Sequence, residues 1–167
     1  MTLVEVMIAS VFSVLLMGTI VLSAHLLRNA QYQYQTNIEL TKDARVVMDK
    51  MIWGVSQTGQ PNRRGIIEAV SAVVAANQID YTDISGTVHT LRQNNGNIEY
   101  RRGANGAWAV LLDPNGTPAF DPTKYSTSLS FSQTNSKAVT INLTLGKTIK
   151  GNWYYVSLST QASFRNS

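Results

Sequence analysis

"MTLVEVMIASVFSVLLMGTI" (Met1–Ile20) opens the chain, and the reading of the rest depends on it. Glu5 is its one charged side chain, and no other follows until Arg28. Val6 to Ala24 is apolar apart from scattered Ser, Thr and Gly. As a helix rising 1.5 Å per residue this run spans roughly 28 Å, close to the ~30 Å hydrocarbon core of a bilayer. Nothing basic precedes the run, as it would in a secretory signal, and its small polar residues do not end it. A carboxylate placed in such a stretch calls for a partner. A local one is available, because "TLVE" has capping-box spacing: the Thr2 hydroxyl can accept from the Glu5 amide while the Glu5 carboxylate accepts from the Thr2 amide. A negative charge in the first turn also suits the helix dipole.

The helical pattern continues past Arg28 in amphipathic form. Ala44, Met48, Met51, Ile52 and Val55 fall on one helical face. Glu39, Lys42, Asp43 and Lys50 fill other positions, and Tyr32 and Tyr34 read as interfacial or packing aromatics. Gly59 and Pro61 in "TGQP" supply a stop. The expectation is one continuous helix in two halves, 1–27 for the bilayer and 28–58 amphipathic, followed by a β-rich domain over 59–167.

Beyond Pro61 the period changes to two. "GTVHTLRQ" (Gly86 to Gln93) and "GNIEYRR" (Gly96 to Arg102) flank "NNG", a hairpin signal because Asn and Gly accept positive φ. "AWAVLLD" (Ala107 to Asp113), "STSLSFSQ", "KAVTINLTL" and "NWYYVSLSTQASF" read as further strands, with a proline-rich loop from Asp113 to Tyr125. The fold class is therefore α+β, a long N-terminal helix packed by its amphipathic half on an antiparallel sheet.

The formal net charge is +4, so nucleic acid is permitted without being demanded. The chain has no cysteine, which excludes disulfides, thiolate chemistry and c-type haem attachment. His25 and His89 lie far apart, with no metal-ligand spacing and no Gly-framed serine beside them, so an enzyme is not expected. Asp80 with Asp83, or Asp113 with Asn115 and Asp121, offer calcium-type oxygens without EF-hand spacing, so neither a metal nor a cofactor is expected. Arg101 and Arg102, with Tyr100 and Trp108, are the candidate contact for DNA or an anionic surface, a weak patch that repetition would strengthen. Asn115 and Asn142 match the N-glycosylation acceptor pattern.

"MTLVEVMIAS" resembles the N-terminus of mature type IV pilins and pseudopilins, in which a Phe or Met precedes Thr-Leu-Val/Ile-Glu and an apolar helix. The match falls on Met1, Thr2, Leu3, Val4 and Glu5, with the apolar continuation to Leu27. The spacing from Asp83 to Gly86 and the terminal "SFRNS" are loosely similar to minor pilins and to J- or W-type pseudopilins. The resemblance implies a subunit inserted in the inner membrane and polymerised into an extracellular helical filament by its assembly machinery. It implies a leader cut away by a prepilin peptidase, leaving the free or methylated amine on Met1, although an initiating Met1 fits the same residues. It assigns assembly to Met1, Thr2, Leu3, Glu5, Phe12, Leu16 and Gly18, with Glu5 meeting the Met1 amine of a neighbouring subunit. Two unit charges about 4 Å apart at an effective dielectric near 20 attract by roughly 4 kcal/mol. Many members carry a proline near the position of Leu22. Here Gly18, beside Thr19, is the weak point of the helix. The alternatives are a minor pilin or secretion pseudopilin that initiates or caps a filament and, from another class, a monomeric membrane-anchored binding domain.

Overall fold

The computed structural model describes residues 2–54, 64–111, 125–149 and 151–165. Helix α1 covers Leu3–Trp53, 51 residues without a break at Gly18. The chain divides into two compact units, Met1–Thr36 and Asn37–Ser167, and α1 contributes to both.

In the first unit α1 is exposed along its whole apolar length. An 18-residue window reaches a mean hydropathy of 2.3 with none of it buried, enough by length and composition to cross a membrane. Three of the four hydroxyls that punctuate the run are satisfied inside the helix. Ser10 donates to the Met7 carbonyl, Ser13 to Ala9 and Thr19 to Leu16, each at 2.8 Å. No polar side chain among these three is left facing hydrocarbon unpaired, which is what a lipid-exposed segment requires.

The second unit holds the core. Leu40, Ala44, Val47, Met48 and Met51 line the buried face of α1. Ala44, Met48 and Met51 are thus as the amphipathic pattern predicts, and Ile52 packs against the core partly buried. Val55 lies outside the described residues. The helix ends at Trp53, short of residue 58. Gly54 at φ 91 turns the chain, its amide donating to the Lys50 carbonyl at 2.9 Å. Gly59 and Pro61, the predicted stop, lie outside the described residues. Gly54 ends the helix for a packing reason as well as a conformational one. A Cβ there would overlap the backbone of Arg64 and Gly65, and one on Gly65 would overlap Ile52 and Gly54. The returning chain therefore crosses the helix end backbone against backbone, which only glycine permits.

A short 3-10 turn (Ile66–Glu68) leads into two antiparallel meanders. The first is a five-stranded sheet of β1 (Ala69–Ala75), β2 (Gln78–Asp83), β3 (Val88–Asn94), β4 (Asn97–Arg102) and β5 (Ala109–Val110), in that order. The second has three strands, β6 (Tyr125–Asn135), β7 (Ala138–Ile149) and β8 (Asn152–Ser163). The predicted β3–β4 hairpin forms with Asn95 and Gly96 both at positive φ (49° and 80°), and the three C-terminal strands also lie as predicted. Two sheets stand where one was expected, and β1 and β2 had no counterpart in the sequence reading. A register shift between Ala69 and Ser71 breaks the alternation of β1, so "AVSAVVA" carries no clean period.

Buried Ile79, Leu91, Ile98, Leu129, Phe131, Ile141, Leu143 and Leu145 join the helix face in one apolar core. Gln93 stitches the sheets, donating to the Thr127 carbonyl at 2.6 Å and accepting from the Leu129 amide at 2.9 Å. Lys147 on β7 pairs with Glu39 on α1 at 3.0 Å, and Lys50 donates to the Leu111 carbonyl at 2.9 Å.

Candidate functional site

The chemistry of the N-terminal unit is concentrated at the start of α1. The Thr2 amide donates to Glu5 Oε2 at 2.8 Å and the Glu5 amide to Thr2 Oγ1 at 3.4 Å, the reciprocal capping box that "TLVE" predicts. Glu5 Oε1 accepts from none of the described residues. A carboxylate has room for several donors, so the cap leaves the outer oxygen open to a cation. Met1 lies outside the described residues.

Helical spacing sorts the other assembly candidates. Phe12 and Leu16 sit at i+7 and i+11 from Glu5 and share its stripe, whereas Leu3 and Gly18 fall off it. Leu3 is 80%, Phe12 62% and Leu16 63% exposed. Nothing approaches the Gly18 Cβ position within 4 Å. Met7, Ile8, Val11 and Phe12 frame a shallow apolar hollow on the helix surface, the kind of relief into which a side chain of another helix inserts. The unit therefore presents a continuous apolar stripe with a carboxylate at one end.

The second unit contains a polar cluster that the sequence reading did not assemble. Asp83, at the end of β2, is 1% exposed. Its Oδ1 accepts from the Ser85 amide (2.8 Å), the Ser85 hydroxyl (2.6 Å) and the Thr87 amide (3.1 Å), closing the β2–β3 turn. Its Oδ2 lies 3.0 Å from both Arg64 Nη1 and His89 Nε2. His89 Nδ1 is 2.7 Å from the Tyr100 hydroxyl, and the ring is stacked between Tyr81 and Tyr100 with centroids at 5.0 and 5.8 Å. Donation from Nε2 to Asp83 and from Tyr100 to Nδ1 satisfies a neutral imidazole on both sides. The Tyr81 hydroxyl donates to the Arg64 carbonyl at 2.9 Å.

Burial alone would raise the Asp83 pKa, but the hydrogen bonds from Ser85, His89 and the Thr87 amide outweigh it and hold the carboxyl well below the usual range. Burial lowers the His89 pKa and Arg102 and Arg64 add to the effect, against the pull of Asp83. Burial pushes the Tyr81 phenol well up, aided by Tyr100 and Asp83. An Asp–His–Tyr chain resembles a catalytic relay on paper. Here all three are buried, and the chain ends on a stacked phenol inside the core, so its geometry is that of a rivet joining β2, β3, β4 and the segment at Arg64. "QIDYTDISGT" carried the signal: an Asp two residues before Ser at a strand end is an Asx-turn pattern.

The basic candidates are separated by the strand alternation. Cross-strand pairing sets His89 opposite Arg102 and Thr90 opposite Arg101, so the doublet is split between the two faces of the sheet. Tyr100 is buried on the core side. Arg101 instead joins Arg92 over Trp108, with guanidinium carbons 4.5 and 3.7 Å from the ring centroid, and Arg92 also pairs with Glu99 at 2.9 Å. Arginine already covers the indole surface that a base would stack on. Asn142 lies in mid-strand rather than on a surface loop, with its Oδ1 accepting from Ser159 at 2.7 Å. Asn115, Asp113 and Asp121 lie outside the described residues. Among the described residues no group of three or more His, Asp or Glu side chains is arranged to hold a metal. No family model, no curated protein and no solved structure matches this chain.

Proposed function

We propose that the chain is a structural subunit of an extracellular type IV pilus-like filament, held in the inner membrane before assembly and polymerised through α1. The observation that carries this reading is the exposed apolar stretch of α1, residues 3–27, whose one carboxylate is capped through one oxygen and open at the other. An ordinary membrane anchor can cap its first turn without an acid, and a charge carried into hydrocarbon or among packed helices is costly unless it is paired. An acid that meets a terminal amine on a neighbour turns that cost into register. Removing one member of such a buried pair typically costs about 3 to 5 kcal/mol. The resemblance of "MTLVE" to the pilin N-terminus supplies the partner, the amine of Met1. The apolar side chains serve lipid and neighbouring helices alike.

The work is mechanical rather than catalytic, with prepilin peptidase and the assembly machinery as the partners. The test is to shear appendages from cells that make this protein and quantify the chain by mass spectrometry, including the mass of its N-terminal peptide. Dominance in the filaments with a processed terminus supports a major subunit. Trace abundance there supports an initiating or capping role, and retention in the membrane fraction overturns the filament reading in favour of an anchored binding domain.

A further inference from the structure

The outward face of the β6–β8 sheet is unusual in what it omits. Along alternate positions from Ser126 to Ser132, Thr140 to Thr148 and Trp153 to Gln161, it carries only Ser, Thr, Asn, Gln, Gly and two aromatics. No charged and no aliphatic side chain interrupts it, on a chain of net charge +4. Hydroxyl and amide groups form cross-strand rows, Ser128–Thr144–Ser157 and Ser130–Asn142–Ser159. Thr144 and Ser157 are hydrogen bonded at 2.8 Å, which holds the row in place while each hydroxyl keeps further bonding capacity.

At one end of this face stand Trp153 and Tyr155, 46% and 57% exposed. Their rings are nearly parallel, 14° apart with centroids separated by 5.9 Å. Gly146 lies directly across from Tyr155, and a Cβ there would overlap the tyrosine ring. The missing side chain lets the ring lean onto the sheet beside Trp153. Both residues stay about half exposed, although large aromatics usually contribute their area to a core or an interface.

We propose that this face is a binding surface for a neutral polysaccharide, tested with cellulose and chitin. Aromatic rings pack on the C–H faces of pyranoses, and rows of hydroxyls and amides exchange hydrogen bonds with sugar hydroxyls. The absence of charge matches a neutral polymer and disfavours nucleic acid or an anionic surface, whereas the absence of aliphatic side chains disfavours an apolar protein or lipid partner. The inference concerns this sheet alone and does not rest on the filament reading.

The test uses the full chain in zwitterionic micelles, because glucoside or maltoside headgroups would compete, and measures its cosedimentation with cellulose and with chitin. Alginate beads and anionic vesicles serve as charged probes. Retention on cellulose or chitin that persists in 0.5 M salt is expected, with about a tenfold loss of affinity in the Trp153→Ala, Tyr155→Ala double variant, which corresponds to about 1.4 kcal/mol. Trp53→Ala, which removes an exposed indole elsewhere, should bind as the wild type does, and circular dichroism checks that each variant is folded. The proposal is overturned by absence of binding to both polymers, by equal binding of the folded double variant, or by salt-sensitive binding that prefers the charged probes.

Discussion

Two carboxylates divide the molecule. Asp83 is sunk in the strand-rich unit, with both oxygens occupied by groups of its own chain. Glu5 sits on an exposed apolar helix with one oxygen in a cap and the other accepting from none of the described residues. A desolvated charge needs partners: Asp83 is desolvated within its own fold, whereas Glu5 would be desolvated only in lipid or among neighbouring helices. One region has built those partners internally, and the other has left a place for them. The difference separates a carboxylate that completes a fold from one suited to completing an assembly.

That contrast can be broken from either side. The largest effect on stability is expected from Asp83→Ala, which removes a nearly fully buried carboxylate from its ion pair with Arg64 and its hydrogen bond with His89. A loss of about 3 kcal/mol is expected, read by urea unfolding of the full chain in micelles. Asp80→Ala, on the opposite face of β2, should stay within about 0.5 kcal/mol. Equal losses would mean that Asp83 is no rivet. Next comes Gly54→Ala, which forces a Cβ into positive φ and into the Arg64 backbone. About 2 kcal/mol is expected, and a wild-type midpoint would contradict the close crossing.

A graded effect belongs to pH. Because the folded His89 pKa is lowered, the unfolded chain binds the extra proton first. Its contribution to stability is present above the unfolded value of about 6.5 and is lost as pH falls toward the folded value. Asp83, also lowered, contributes above about 3.9 and loses that contribution at still lower pH. Urea midpoints should therefore fall between pH 7.5 and 5.5, and a folded His89→Gln variant should flatten that segment alone. A slope unchanged by the substitution would remove His89 from the account. The smallest effect is expected from Thr2→Ala, about 1 kcal/mol at the helix start, visible as amide exchange in the first turn while the core of the other unit is untouched.

The sequence made the elements that depend on local patterning legible. The capping box needs only Thr2 and Glu5, the β3–β4 turn only Asn95 and Gly96, and the three last strands alternate cleanly. What it concealed depends on neighbours distant in the chain. Gly54 after Lys50 is a local stop signal, passed over for Gly59 and Pro61, whereas nothing near Trp53 announces the crossing at Gly65. β1 hides behind its register shift. The Arg101–Arg102 doublet looks like one patch until cross-strand pairing assigns its members to opposite faces. The candidate assembly stripe was readable because it lies on one helix, and the Asp83 cluster was not, because it joins residues from Arg64 to Tyr100.

The central claim, that Glu5 acts between subunits, is tested most directly by Glu5→Gln. Glutamine still fills a capping box, so the monomer should keep its helix and its place in the membrane. With the variant as the sole copy in cells, its membrane abundance should match wild type while sheared filaments disappear or fall to a trace. Undiminished filaments containing the variant would contradict the pairing and return Glu5 to the role of a helix cap.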